Sequence, residues 1–300
     1  MKDKMTLWQR LKAYKLETQI KLAVAMLLVF VLSVVAYCVP EWRNNEIISN
    51  ILLALFTSLL VTVFTMFTDI AVSYNKNKNE QYLEDIYQFG IGTMHNDKKK
   101  ALQSLLMECD KRIWVSGYRL ILTRDIKNDI REAILRGATV TMVVCPPWSS
   151  AFRMVYGENE KVMDNYLDCF QTVNEARKEM HLEEKDFRVV FVDKPIFNDT
   201  YRVDMNLITG PYMHNYDPVF NRLMAKDFFS YNLVRQSKLY KLIYEEYQTL
   251  YREAKWELNW EEFSKAYEEI RSGDLRESEK IERVYRACKE VSFAPDTRLD

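Results

Sequence analysis

Glycine and proline are scarce in this sequence of 300 residues, which contains 7 of each. Because serine-rich and glutamine-rich tracts are also missing, there is little room for long disordered segments or a solenoid of short repeats. An excess of charge of one sign is absent as well, since 42 Lys and Arg residues face 43 Asp and Glu residues. This balance of charge argues that the protein is not a dedicated nucleic-acid-binding protein. We therefore expect any contact with nucleic acid to be local or indirect.

The sequence motifs of common enzyme and metal-site classes are missing too. There is no G-x-S-x-G, no G-x-x-x-x-G-K-[ST], no H-E-x-x-H and no dinucleotide-binding glycine fingerprint. The cysteines are widely scattered, without a C-x-x-C pair: Cys38, Cys109, Cys145, Cys169 and Cys288. Cys169 has no obvious histidine partner. We therefore predict reduced structural thiols, no metal site and no cofactor.

What the sequence does contain is two long apolar runs near its beginning. Residues 22–39 read LAVAMLLVFVLSVVAYCV without a charge, and residues 49–72 read SNILLALFTSLLVTVFTMFTDIAV. A helix rises about 1.5 Å per residue, so each run is long enough to cross the hydrocarbon core of a bilayer. The segment Pro40–Glu46 between them is too short for more than a turn. The sequence therefore predicts a two-helix transmembrane hairpin over residues 22–72.

The flanking charges predict how this hairpin is oriented. A cleavable signal peptide is the alternative for the first run, but its basic leader, residues 1–21, is long and no small-residue cleavage site follows. Basic residues precede the first run and follow the second, whereas the turn offers only Arg43. Because positive residues favour the cytoplasmic side, we expect both termini to lie in the cytoplasm.

The second apolar run carries polar residues that a plain membrane anchor does not need. Five small or polar residues share one narrow face of the predicted helix: Ala54, Ser58, Thr62, Thr65 and Asp69. Small and hydroxylated residues let membrane helices approach closely and hydrogen-bond, so we predict a helix-association surface. It packs either on the first helix of the same hairpin or on other subunits. The second alternative predicts a homo-oligomer with a polar seam or pore and Asp69 at its cytoplasmic mouth.

The segment after the hairpin, residues 73–107, favours a stalk helix that is broken near Gly90 and Gly92. Its basic run at 98–100 is either a solvated helix face or a contact to anionic lipid. Beyond it, a strand at 112–118, a helix at 123–138 and a strand at 139–147 predict a parallel β-α-β unit.

The rest of this region continues the alternation of helices and strands. The pattern favours a helical stretch at 152–181 and strands at 187–192 and 201–210. A long amphipathic helix is predicted at 231–256, packed on the sheet, with these core contacts: Leu239, Leu242, Ile243, Tyr247 and Leu250. We therefore predict an α/β domain over residues 108–256, in which a mixed sheet is flanked by helices.

Residues 257–300 favour a charged helical hairpin broken at 271–274, followed by a tail. Ile281, Val284, Tyr285 and Cys288 form one apolar stripe on its second helix. This stripe either clamps the helix onto its own domain or docks a second protein.

The order of elements over residues 108–256 resembles one half of a phospholipase-D-like domain. The elements follow in the order strand, helix, strand, helical insert, two strands and a terminal helix rich in Tyr and Trp. The first strand ends in Ser-Gly-Tyr, and the first helix ends in the sequence LRGA. That family uses a His-x-Lys followed downstream by an Asp, in which the histidine attacks a phosphodiester and the lysine stabilises the phosphate charge.

The histidine and lysine of that motif are missing here. None of the histidines, His95, His181 and His214, is followed two residues later by lysine, and the region around Arg202 reads YRVDMNL without a nucleophile. The resemblance therefore implies an inactive scaffold that binds rather than catalyses. The alternative is a membrane-bound phosphodiesterase or phospholipase-like enzyme.

Ligands of open α/β sheets lie at strand ends and in the loops that follow them. On this basis the candidate ligand-binding or partner-binding residues are Ser116, Tyr118, Arg119, Arg124, Arg202, Tyr212, His214 and Tyr216. The aromatic side chains suit stacking on a base or ring, and the arginines suit a phosphate. Packing under a loop, helix capping and ordinary surface roles are the alternatives for the same residues.

The whole chain is similar in organisation to two-transmembrane effectors of bacterial anti-phage systems, most of all to retron membrane effectors. The resemblance implies a toxin of the inner membrane that kills the infected cell, an abortive infection. It also implies two partners, the lipid bilayer and a reverse transcriptase with its RNA–DNA hybrid. A cyclic-nucleotide-gated membrane effector and an inert tethering subunit are the alternatives.

Overall fold

The computed structural model describes residues 16–299 except 159, 215–222 and 225–228. Most of the predicted basic leader therefore lies outside the described residues. The chain divides into two compact units, residues 1–86 and 87–300.

The first unit contains the two predicted apolar helices, and both are present. They are α1 (Glu17–Tyr37) and α3 (Glu46–Phe89), joined by the short helix α2 (Pro40–Arg43). Pro40 suits the first position of α2 because its missing N–H has no partner there anyway. The side chain of Asn45 accepts hydrogen bonds from the backbone of Ile47 and Ile48, at 3.2 and 3.3 Å, and so caps α3. α1 has 21 residues and α3 has 44, and each contains an apolar stretch long enough to cross a membrane.

The second unit is built on a mixed nine-stranded sheet, which confirms the predicted α/β class. Its strand order is β1-β9-β6-β5-β2-β3-β4-β10-β11. The strands are β1 (Ile91–His95), β2 (Arg112–Gly117), β3 (Thr139–Val144), β4 (Phe187–Phe191), β5 (Asn198–Val203), β6 (Asn206–Pro211), β9 (Ser230–Leu233), β10 (Trp256–Leu258) and β11 (Cys288–Glu290). The short strands β7 (Met213–His214) and β8 (Leu223–Met224) form a separate pair. Strands β2, β3 and β4 are parallel, as predicted for the first two, and the pairs outside them are antiparallel.

Helices cover both faces of the sheet. They are α4 (Lys98–Glu108), α5 (Ile121–Asp125), α6 (Lys127–Leu135), α7 (Ser150–Tyr156), α8 (Met163–Glu179), α9 (Lys238–Arg252), α10 (Trp260–Ser272) and α11 (Glu277–Arg286). On one face, the Tyr247 hydroxyl of α9 donates to the backbone carbonyls of Val115 and Thr141, at 3.3 and 2.9 Å. Its ring stacks on Trp114, with 5.0 Å between ring centroids. The predicted packing of this helix on the sheet is therefore confirmed.

The predicted single strand over 201–210 is wrong, because the segment is the antiparallel hairpin β5–β6. Asp204 turns the chain with a positive φ of 52°, a conformation that Asp tolerates better than most residues. Its carboxylate accepts hydrogen bonds from the backbone N–H groups of Lys111 and Arg112, at 3.1 and 3.0 Å. No glycine occurs at this turn, and apolar residues alternate on both sides of it. The sequence pattern therefore predicts one continuous strand.

The predicted helix over 231–256 is too long at both ends. Its first residues belong to β9, and its last residue opens β10. The hydroxyl of Ser237 accepts a hydrogen bond from the backbone of Tyr240 at 3.0 Å and starts α9 there. Leu242, a predicted core contact, is 58% exposed, whereas Ile243 is 8% exposed. Shorter helices also replace the predicted ones, since 123–138 divides into α5 and α6, and 152–181 into α7 and α8.

The segment predicted as a stalk contains more structure than one helix. α3 continues to Phe89, and the chain turns at Gly90, whose φ of 110° is unfavourable for other residues. Next come β1, paired with β9, and α4, so these residues form part of the sheet unit. At the other end of the chain, α11 packs on its own domain, where Val284 is fully buried and Tyr285 contacts Trp148 with 5.6 Å between ring centroids.

An ion-paired carboxylate makes the stability of this sheet depend on pH. Burial alone raises the pKa of Glu257, but the Arg188 hydrogen bond, at 2.7 Å, and the charges of Arg188 and Lys289 outweigh it and lower that pKa. A lowered folded-state pKa stabilises the fold above the unfolded-state pKa of about 4.3, and this contribution is lost as the pH falls through the folded-state value.

We therefore expect Glu257→Gln to weaken the dependence of the melting temperature on pH between about 6 and 3. The measurement is thermal unfolding of the full chain in detergent at several pH values. Glu290→Gln, at an exposed carboxylate in β11, is the matched control. It should leave the slope of melting temperature against pH as in wild type. Equal slopes in wild type and Glu257→Gln would contradict this assignment.

Candidate functional site

Within the first unit, α3 presents one face to α1. Six apolar residues of α3 that are wholly or partly shielded recur alternately four and three positions apart: Leu52, Phe56, Leu59, Val63, Met66 and Ile70. Phe30 of α1 stacks on Phe56, with 5.2 Å between ring centroids. Ala23 and Ser33 on α1 are 2% and 5% exposed, which lets the two helices approach closely.

The predicted association surface lies on a different face of α3. Ala54, Ser58, Thr65 and Asp69 are exposed, and only Thr62, at the edge nearer to α1, is partly shielded. The interpretation that this surface packs on α1 therefore applies to Thr62 alone. We call the residues 54, 58, 62, 65 and 69 the polar stripe.

The threonine hydroxyls of the polar stripe are satisfied within the helix. Thr62 donates to the carbonyl of Ser58 at 2.8 Å, and Thr65 donates to the carbonyl of Val61 at 2.9 Å. Thr57 and Thr68, on another face, make the same kind of bond. The hydrogen bonding of its threonines therefore does not distinguish the polar stripe from the face of Thr57 and Thr68; the clustering of five small or polar residues on one face does.

In the second unit, three of the predicted binding residues meet at the carboxyl end of β2. The Tyr118 backbone N–H donates to the Tyr212 hydroxyl at 3.2 Å, and the two rings are 5.2 Å apart, edge to face. The Tyr118 hydroxyl accepts from the backbone of Ile196 at 2.7 Å. Arg119 follows directly, its Nε 2.9 Å from Glu160 and its guanidinium 5.6 Å from the ring centroid of Tyr156.

A buried ion pair lies beside these tyrosines. The Lys98 ammonium, at the start of α4, donates to the Asp199 carboxylate at 2.8 Å and to the Asp199 carbonyl at 2.5 Å. It also lies 4.9 Å from the ring centroid of Tyr201, and the lysine and the aspartate are 1% and 7% exposed. Burial lowers the pKa of Lys98, and Asp199 opposes this shift.

Gly117 permits the close approach of these groups. A Cβ at that position would lie 2.9 Å from the Tyr212 hydroxyl oxygen and 3.3 Å from an Asp199 carboxylate oxygen. Any larger residue would push the tyrosine away from the end of β2. The cluster of Lys98, Tyr118, Arg119, Tyr156, Glu160, Asp199 and Tyr212, which we call the tyrosine cluster, therefore depends on a glycine at the end of the strand.

Burial keeps the hydroxyl and thiol groups of this region protonated. Burial raises the pKa of Tyr118 to about 12 and raises the pKa of Tyr156 and Tyr212 further, so all three stay neutral. Burial likewise raises the pKa of the Cys145 thiol to about 12, which keeps it protonated and unreactive. No group of histidine, cysteine and carboxylate side chains suited to a metal occurs among the described residues.

The remaining predicted residues lie elsewhere. Ser116 and Arg202 are on the α9 face of the sheet, where the Arg202 guanidinium is 4.1 Å from the ring centroid of Trp114. Arg124 pairs with Asp168 at 3.0 Å and donates to Asn165 at 2.8 Å. Residue Tyr216 and the side chain of His214 lie outside the described residues.

Four residues of the tyrosine cluster are not among the site residues that the sequence predicts: Lys98, Asp199, Tyr156 and Glu160. The Lys98–Lys100 run was interpreted as solvated or lipid-facing, whereas Lys98 is buried and its two neighbours are exposed. A signal was available, because Lys98, Leu102 and Leu106 are spaced four apart and all three are buried on one face of α4. Asp199 gave no such signal, since its partner is distant in sequence.

No family model and no curated protein matches this chain. Among solved structures, TrmBL2, an archaeal chromatin protein, matches with a TM-score of 0.33 and 11% identity over 66% of this chain and 70% of that one. Phosphatidylserine synthase from Haemophilus influenzae Rd KW20 matches with a TM-score of 0.34 and 17% identity over 56% of this chain. The matched part spans only 38% of the synthase. Likenesses this weak say nothing about function.

The buried ion pair predicts a specific pattern of stabilities. Removing one partner leaves the other charge buried and unpaired, so Lys98→Met should lower the free energy of unfolding by about 3–5 kcal/mol. Lys98→Met combined with Asp199→Leu should cost less than Lys98→Met alone, because no unpaired charge remains. Chemical denaturation of the full chain in detergent measures this, with Lys99→Met at the exposed neighbour as the control. Additive losses in the double variant would contradict the pairing.

Proposed function

We propose that this protein is a membrane effector whose paired helices damage the bacterial inner membrane and whose α/β domain controls when they do so. In this proposal α1 and α3 cross the bilayer as a hairpin with both termini in the cytoplasm. The lengths and apolar composition of both helices support it, and so do the basic residues on either side of the hairpin.

The exposed polar stripe of α3 is the observation that carries the proposal. The face that packs on α1 is separate from it, so small and hydroxylated residues remain available to a further helix. In a bilayer such a face supports close contact between helices of different copies, and a carboxylate there is costly unless it faces water or a polar seam. Association of several hairpins through the polar stripe would therefore open a polar path through the membrane.

The α/β domain acts in this proposal as the regulator. In its tyrosine cluster, Arg119, Tyr156 and Tyr212 are partly exposed at the end of β2, and these side chains are the proposed contact to a ligand or partner. The organisation of the chain, like that of anti-phage effectors, suggests abortive infection as the setting and a reverse transcriptase with its RNA–DNA hybrid as the partner. Release or activation of the domain would then permit the hairpins to associate.

The polar stripe yields a matched mutational test. Thr62→Leu with Thr65→Leu should abolish depolarisation of expressing cells, because two larger apolar side chains then replace the small hydroxylated ones. Thr57→Leu with Thr68→Leu is the control, since it makes the same chemical change and removes the same kind of hydrogen bond about a quarter turn away. A membrane-potential dye reports the effect, and membrane fractionation confirms equal insertion.

Three results would contradict the proposal. Cells expressing residues 75–300 alone should keep their membrane potential, so equal harm from this fragment would assign the activity to the α/β domain. Phosphodiesterase activity of the purified chain that is lost on changing Arg202 would favour the enzyme alternative instead. Preservation of function after replacing the hairpin with an unrelated anchor would favour the tethering alternative.

A further inference from the structure

The last described residues, 291–299, run along α9 without forming a helix or a strand. They turn once, where the Thr297 backbone donates to the carbonyl of Ala294 at 2.9 Å around Pro295, a favoured residue at that turn position. This segment, which we call the tail, crosses α9 from its end toward its middle. Most of its side chains are exposed or only partly shielded.

The side chain of a fully buried glutamine of α9 binds the backbone of the tail. The Gln248 side chain accepts from the Leu299 N–H at 2.9 Å and donates to the Leu299 carbonyl at 2.8 Å. Gln248 is 0% exposed, so without the tail its amide would lose both of these partners. Burying an amide is costly unless it is hydrogen-bonded, which makes this position suited to a peptide backbone rather than to apolar packing.

Two side chains anchor the tail on either side of its turn. The Phe293 ring stacks on Tyr251, with 4.7 Å between centroids, and lies 4.9 Å from the Arg188 guanidinium. Leu299 packs on the hydrophobic core of the domain, and its carbonyl also accepts from the Tyr244 hydroxyl at 3.3 Å. Between them, Arg252 donates to the carbonyl of Pro295 at 3.2 Å.

The tail lies in a groove along α9. This groove carries positive charge at the end where Leu299 binds. The Arg202 guanidinium is 5.3 Å from the ring centroid of Tyr244, the residue that contacts Leu299. Arg202 is 7% exposed, and its Nη1 has no hydrogen-bond partner among the described residues. A peptide whose leucine is followed by an acidic residue therefore suits the groove better than one that continues with a basic residue.

We propose that the groove along α9 is a peptide-docking site, occupied in cis by the tail and open to a partner peptide of the same chemistry. The partner peptide carries an aromatic residue, a proline turn and a leucine followed by an acid. Gln248 recognises its backbone, Tyr251 and Arg188 hold its aromatic ring, and the tail competes with it as a tethered ligand. This inference does not depend on the membrane role.

The test uses the full chain in detergent and a fluorescein-labelled synthetic peptide with the sequence of residues 291–300. Phe293→Ala with Leu299→Ala loosens the tail but keeps the groove intact. This variant should bind the peptide at least about tenfold tighter than wild type, because a tethered segment competes at an effective concentration in the millimolar range. Adding Gln248→Ala to the same variant should weaken binding by about tenfold or more, in line with the loss of two hydrogen bonds.

Arg298→Ala is the matched control, since it removes only an exposed pair with Glu245 at 3.8 Å and should leave binding as in wild type. Hydrogen exchange on the unmodified chain gives an independent measurement, in which excess isotope-labelled peptide should speed exchange of the Leu299 amide. The proposal is overturned if the folded tail variant, checked by its melting temperature, fails to bind the peptide. Equal affinity in wild type and the tail variant would overturn it too, as would unchanged exchange at Leu299.

Discussion

The buried pair of Lys98 and Asp199 fixes how the second unit is assembled. It joins the first turn of α4 to β5, two elements that are far apart in the chain, and it does so where almost no water can screen the charges. Because an unpaired charge in this place would be costly, the start of α4 has one favourable position on the sheet. Tyr118 and Tyr212 meet beside this pair, where Gly117 leaves room for the Tyr212 hydroxyl and the Asp199 carboxylate.

The two faces of the sheet carry different groups of polar side chains. One face carries the tyrosine cluster at the carboxyl end of β2, where neutral hydroxyls and paired charges surround a strand end. The other face carries α9 and the tail, with Gln248 buried against a backbone and Arg202 stacked on aromatic rings. Tyr118 and Arg202 are both candidate binding residues in the sequence, but Tyr118 contacts Tyr212 beyond the end of β2, whereas Arg202 lies against Trp114 and Tyr244.

The helix pair shows the same separation of surfaces. On α3, the face that contacts α1 repeats every three and four residues, as expected of packed helices, and the polar stripe lies beside it. A single helix can therefore serve the hairpin and remain available for association with another copy. The proposed link between membrane damage and control by the α/β domain depends on this division.

The sequence by itself determined the two apolar helices, the parallel strands β2 and β3, and the amphipathic core of α9, since each is encoded by local hydrophobic periodicity. It did not reveal the β5–β6 turn at Asp204, which lacks a turn signal, or the three-residue strand β10, which is too short to show a period. The tertiary structure alone decided that Lys98 pairs with Asp199 and that most of the polar stripe lies outside the contact with α1. Burial and pairing of polar groups depend on partners distant in the chain, and no local pattern specifies those partners.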